Sequence, residues 1–459
     1  VIQQGKNGSI KKCISIYFKV KISIGFFLIM ILILPSVGYS QTEESSTGSS
    51  SSEDILTIEQ CIEIALKNSY EIAIGRGSLN KAEIDLKDAK AARLPELDLT
   101  GGYNLNDTYS RLEWDENHYD LALSASITPY NGARTRINVG KSQALLDSAK
   151  ENYRLTEITL VLEVINKYYN LFEASELLKL KRESLSQKKK HLEFAEAQFT
   201  LGLVPKADIL KAGVEVANAE VELLQAEGNL ELARAELNDV MGIDLENPTK
   251  IKPIAFTKEE PIDFTTCLKE ALTNRPEILQ QEAHLTINQY NLKLAQKDRL
   301  PSFAITGTYN VYADKLTGSR SDSGNWDEST DWAIGIGFSF PLFEGGIRSR
   351  ALQTATIDLN EAELNYLELK KEINLEVKLA HLNLATAFKK IELTEKQVKS
   401  AEVNYNAALG RYKIGIASIT EVIDAELALS NSKVNHIQAL YEYLLAQAVL
   451  KKNMGKFPY

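Results

Sequence analysis

The side chains of this chain that could do chemistry are few, and their spacing argues against catalysis. Five histidines stand at positions 118, 191, 284, 381 and 436, none at ligand spacing from another, so no metal site is expected. There is no nucleophile elbow and no phosphate-binding glycine loop, so neither an enzyme nor a cofactor is expected. Cys61 and Cys267 occupy equivalent places in a repeated pattern and read as small apolar helix-packing positions, although an exported protein could pair them. The acidic pair Glu421 and Asp424 is different. Its i, i+3 spacing puts both carboxylates on one helix face, where they either serve together or sit as solvated acids in a first helical turn.

The elements that would position these residues are written twice. Ala65-Leu66, Asn68, Glu71-Ile72, Arg93-Leu94-Pro95, Gly101 and Tyr103-Asn104 recur 206 positions later, from Ala271-Leu272 to Tyr309-Asn310. Gly132, Gly202 and Met241-Gly242 recur 213 positions later as Gly345, Gly415 and Met454-Gly455. The second copy has therefore gained seven residues between Tyr309 and about Trp332, in a loop that must face solvent to tolerate them.

Ahead of the repeats, Lys6, Lys11, Lys12, Lys19 and Lys21 border the apolar run Ile22 to Leu34, and Gly38-Tyr39-Ser40 resembles a cleavage site. Residues 1–40 thus read as a signal peptide for export, and the Ser-rich 41–54 as a disordered leader. Without residues 1–40 the chain keeps 47 basic against 62 acidic residues, a balance that argues against a nucleic-acid partner.

The first repeat, 55–261, reads as helix, β-hairpin 96–128, long helix, tip turn 202–205 and helix; the second, 262–459, repeats this with hairpin 302–340 and tip turn 415–418. Residues 58–93 are expected as one helix ended by Pro95, and 264–299 as its copy. From Arg134 to Thr200 a helix of about 100 Å is expected, with one apolar stripe through Leu155, Ile158, Leu162, Ile165, Tyr169 and Phe172. Val161, Val164, Tyr168 and Leu171 form a second stripe, so neighbours are expected on both flanks. The helix 206–241 is expected to stack end to end with 264–299, and the C-terminal helix 419–454 beneath 58–93.

The hairpins change the period to two. Leu97, Leu99, Gly101 and Tyr103, then Tyr119, Leu121, Leu123, Ala125 and Ile127, alternate with polar or small residues. So do Phe303, Ile305, Gly307, Tyr309 and Val311, and Trp332, Ile334, Ile336, Phe338 and Phe340. Each run has about the nine to eleven residues of a tilted membrane strand. Tyr103, Tyr119, Tyr309 and Trp332 near the loops, and Phe338, Phe340 and Phe343 at the other end, suit a membrane aromatic girdle against lipid. Four strands cannot close alone, and an open edge is untenable in hydrocarbon. Two chains would supply eight strands and three would supply twelve.

At these residues the chain resembles the TolC family of bacterial outer-membrane efflux proteins, over essentially all of 55–455. The signatures are Ala65-Leu66-Lys67-Asn68-Ser69-Tyr70-Glu71-Ile72 with its copy at 271–278, Arg-Leu-Pro before each hairpin, Pro341-Leu342-Phe343-Glu344-Gly345-Gly346, and Arg411-Tyr412-Lys413-Ile414-Gly415. The resemblance implies a fold mainly α with membrane β: a homotrimer with a twelve-stranded barrel in the outer membrane and a periplasmic tunnel of long antiparallel coiled-coil helices. It implies docking to a periplasmic adaptor (membrane fusion) protein and an inner-membrane pump, in a tripartite efflux or type I secretion system. Gly202, Leu203, Val204, Gly415 and Ile416 match adaptor-contact tips, and Glu421 with Asp424 matches the acidic pair narrowing the pore. Three copies would bring six carboxylates together. Ala207 and Ala417 stand where the best-known member has polar or charged latch residues. The competing reading is an exported coiled-coil structural or adhesive protein, which would share the heptads and signal but has no use for paired alternating strands.

Overall fold

Caps and turns set the element boundaries. The computed structural model describes residues 55–106, 116–254, 262–313 and 328–459; the segments read as signal peptide and leader lie outside them. After β1 (Ile55–Leu56), Thr57 and Gln60 form a reciprocal capping box that starts α1 (Ile58–Asn68). Ser69 ends α1 in an extended conformation, and its hydroxyl accepts from the Ile72 N–H to begin α2 (Tyr70–Ala91). In the second copy α5 (Phe264–Asn274) ends at extended Arg275, and Pro276 opens α6 (Pro276–Lys297). The single helices expected over 58–93 and 264–299 are thus each two. Proline disfavours the helical conformation of the residue before it, and Ser69 achieves the same break by capping.

Two hairpins and two helix pairs complete the fold. β2 (Glu96–Asn106) and β3 (Glu116–Tyr130) precede α3 (Arg134–Thr200) and α4 (Lys206–Val240). β4 (Lys250–Ile251) follows, then β5 (Ser302–Ala313), β6 (Glu328–Ser339), α7 (Ile347–Lys413) and α8 (Ile419–Asn453). Both long helices have 67 residues and both returning helices 35, so the duplication is kept to the residue in the helices.

Side by side, α4 packs on α3, α3 on α8, and α8 on α7; towards the sheet, α2 and α6 flank α3, and α6 meets α7. Ala212, Ala219, Ala226 and Ala233 of α4 are all buried, and their seven-residue spacing makes a heptad seam of small side chains against α3. On α3 the stripe Val161, Val164, Tyr168 and Leu171 is fully buried, while Leu155, Leu162, Tyr169 and Phe172 are half-buried beside it.

The end-to-end stacking differs from expectation. Asn68 Nδ2 donates to the Met241 carbonyl at 3.1 Å, and a Cβ on Gly455 would meet the Asn274 carbonyl carbon at 2.5 Å. Each returning helix therefore ends against the upper helix of its own repeat, α4 at α1 and α8 at α5. The recurring Asn and Met-Gly signatures are the two sides of this joint, which explains why both copies carry both. Cys61 and Cys267 lie buried, as free thiols, in two separate cores, so they do not pair within the chain. The Tyr168 hydroxyl donates towards the carbonyls of Lys252 (2.9 Å) and Leu56 (3.3 Å), anchoring the parallel β1–β4 pair to α3.

The two hairpins merge into one antiparallel sheet, ordered β2-β3-β5-β6. The register pairs Leu99 with Leu123, Tyr103 with Tyr119, Leu123 with Tyr309, Ile127 with Ile305, and Phe303 with Phe338. Directly opposed residues share a face, so the apolar sets of all four strands lie on one side. Thr100, Gly102, Ser124, Thr306, Thr308, Gly335 and Gly337 occupy the other.

Candidate channel entrance and membrane face

The apolar side of the sheet is uncovered. Trp332, Ile334 and Ile336 are 72–76% exposed, and Leu97, Leu99, Tyr103, Leu121, Tyr309 and Phe338 are also exposed. A contiguous apolar face of this kind is unsuited to water and suited to lipid. Among the described residues no helix is long and apolar enough to cross a membrane. Rings cluster at both strand ends. Tyr103 and Tyr119 lie 4.9 Å apart, and Tyr309 pairs with Trp332 next to the second loop. At the helix end Phe303 lies 5.0 Å from Phe338, which neighbours Phe340 at 6.5 Å. Tyr130 joins Phe303 at 6.1 Å, and neither was among the girdle rings singled out in the sequence. Phe340 and Phe343 stand beyond the end of β6, in the connection to α7 rather than on the strand.

At the opposite end of the long helices, the tips are built alike. α3 ends with the Gly202 N–H bonded to the Phe199 carbonyl and Leu203 N–H to Gln198; α7 ends with Gly415 bonded to Tyr412 and Ile416 to Arg411. These are paired reverse-turn bonds that need a left-handed residue, which Gly202 (φ 76°) and Gly415 (φ 75°) supply. The structure brings the tips together: Lys211 Nζ donates to Thr420 Oγ1 at 3.1 Å, and the Phe194 and Tyr412 rings meet at 5.6 Å. Leu203, Ile414 and Ile416 project as exposed apolar side chains, with Val204 half-buried.

Glu421 and Asp424 share one open recess of about 380 Å³ with Asn404, Ala408, Ser418 and Thr420. The Ser418 hydroxyl accepts from the Glu421 N–H to cap α8. Arg411, in the last turn of α7, forms an ion pair with Glu421 that sequence reasoning missed. Its signal was present: a cation in the last turn before the Gly415 turn and an acid in the first turn after it can face each other across it. Among the described residues no group of His, Cys, Asp and Glu could hold a metal ion.

The outer membrane efflux protein family matches residues 61–243 and 267–456, once on each repeat. The chain belongs to that family. It is similar to the outer membrane protein TolC of Escherichia coli, 22% identical with 90% of this chain and 84% of that protein covered. It is also similar to the alkaline protease secretion protein AprF of Pseudomonas aeruginosa, 23% identical with 87% and 86% covered. Among solved structures, the Campylobacter jejuni CmeC outer membrane channel superposes with a TM-score of 0.75 at 20% identity, covering 92% of this chain and 93% of that one. The outer membrane protein VceC of Vibrio cholerae gives the same TM-score at 20% identity, with 88% and 97% covered. The chain is thus an outer-membrane channel for efflux or secretion, in a family of channels rather than enzymes.

Proposed function

We propose that three copies of this chain close into a passive duct, with a twelve-stranded barrel in the outer membrane and a helical tunnel beneath it. The observation that carries this reading is the four-stranded sheet, whose apolar side is continuous and whose outer strands β2 and β6 each have one neighbour among the described residues. Both edges need partners in a bilayer. Two copies would give eight strands, whose interior side chains would fill; three leave a lumen.

The helices support the same ring. In the lateral order α4-α3-α8-α7, the outermost helices carry uncovered apolar side chains: Leu210, Val214, Val221 and Leu224 on α4, and Leu364, Leu375, Leu382 and Leu393 on α7. Two different faces meeting head to tail generate a closed ring. In this duct Glu421 and Asp424 form the narrowest acidic ring, the tips at Gly202–Val204 and Gly415–Ile416 receive a periplasmic adaptor, and an inner-membrane pump supplies the cargo. The purified protein is expected to run as a trimer in detergent and to form ion-conducting pores in planar bilayers; a monodisperse monomer without conductance would refute the reading.

A further inference from the structure

One seam position in the entrance half carries a carboxyl. Along α8 the buried stripe runs Ile419, Val422, Glu426 and Leu429, and Glu426 is only 5% exposed. Its Oε2 lies 3.7 Å from His191 Nε2 on α3, and that same nitrogen lies 3.0 Å from the Tyr405 hydroxyl on α7. Its Oε1 is buried and has no hydrogen-bond partner among the described residues. From α3, Lys188 also bears on the carboxyl but is engaged with Glu215 of α4 at 2.8 Å; Glu183 and Lys433 line the cleft beside it. A carboxylate in such a seat has lost its water and found no full counter-charge.

We propose that Glu426 is a proton-operated clasp of the tunnel entrance: protonated, it lets α8 seat against α3 and α7; ionised, it forces α8 from that seat and loosens the entrance. The proposal rests on reading the tip end as the entrance. Burial pushes the Glu426 carboxyl up to about 7, with Lys188 opposing and Glu215 adding to the rise. His191 is held below its ordinary value by burial and by Lys413, so near neutrality it offers no positive charge. Because the seated carboxyl binds its proton more tightly than a free one, the seated arrangement is favoured in full below the ordinary value of 4.5. That preference is lost as pH rises through about 7.

Hydrogen exchange of the trimer over residues 401–430 tests this, corrected for the intrinsic pH dependence of exchange, alongside open probability in planar bilayers from pH 4.5 to about 8.5, a range that spans the free and the seated carboxyl and the plateau above both. The wild type is expected to lose protection, and to open at least severalfold more often, as pH rises from 4.5 towards about 7, with no further change above that. Glu426→Gln, neutral at every pH, should stay protected and closed throughout, and His191→Gln should keep the transition. Glu426→Gln trimers that retain the transition, or wild type that lacks one, would overturn the proposal. So would loss of the transition in His191→Gln alone, which would make the histidine the sensor. The exchange measurement does not depend on conduction, so failure of the clasp is distinguishable from failure of the channel reading.

Discussion

Arg275 shows how much one side chain can hold at a helix joint. It is 4% exposed, donates through Nε and Nη2 to both oxygens of Glu277, and through Nη1 to Glu376 at 2.6 Å. Arg275→Ala would leave Glu277, whose side chain is only partly solvated, without its counter-charge, and a loss of about 1–3 kcal/mol is expected in denaturant unfolding. Burial alone would raise the Glu277 carboxyl, but the Arg275 bonds and charge overcome it and hold the group below its ordinary 4.5. Its stabilisation is therefore present above 4.5 and disappears as pH falls through the depressed value, so the acid limb of wild-type stability should be steeper than that of Arg275→Ala. The joint itself was only half legible in the sequence. Pro276 announces a break, whereas its counterpart Ser69 looks like any helical serine until its hydroxyl is seen capping Ile72. Glu426 was legible in principle as an acid interrupting the Ile419, Val422, Leu429 stripe; that its Oε1 finds no hydrogen-bond partner among the described residues depends on which helices meet there, and periodicity carries no such information.

The two helix hairpins have the same lengths but are joined by different forces. Lys167–Glu236, Lys181–Glu222, Arg182–Glu227, Lys188–Glu215 and Lys189–Glu220 all bridge α3 to α4. Between α7 and α8 the cross-helix ion pairs among the described residues are Lys390–Glu442 and, at the turn, Arg411–Glu421. Exposed pairs contribute roughly 0–1 kcal/mol each and weaken with salt. Raising the salt concentration should therefore lower exchange protection along α3–α4 more than along α7–α8; equal loss would show these pairs to be incidental. At the tips, a Cβ on Gly202 or Gly415 would meet nothing within 4 Å, so the positive φ is the only constraint inside the chain. Gly415→Val should cost about 1–2 kcal/mol locally, leave trimers assembled, and impair export in cells through the altered tip. Normal export at normal protein level would make the turn a mere connector. Helix lengths, tip turns and strands were legible because period and glycine spacing encode them. Which short helix stacks on which was not, because both orders satisfy the same 1.5 Å rise and only the meeting of Asn68 with Met241 decides it.

For the whole assembly, charge at the entrance follows from Arg411 as well as from the acids. With Glu421 paired to Arg411, each copy presents one net negative charge there, that of Asp424. Neutralising both acids, Glu421→Gln with Asp424→Asn, leaves Arg411 alone, so the pore should pass from cation-selective to weakly anion-selective and lose block by multivalent cations from the tip side. An unchanged reversal potential with trimers intact would place the constriction elsewhere. The two free strand edges also govern how the assembly comes into being. Among the described residues, β2 and β6 each have an edge with no strand beside it, and the apolar face of the sheet is uncovered. In the proposed trimer, a copy that has not yet met its partners is a sticky, half-finished surface, competent to pair with the wrong strand as readily as with the right one. Maturation is therefore a crowding problem with a concentration threshold: too few newcomers stall as monomers, too many clump, and a holdase shielding the sheet would widen the workable range between.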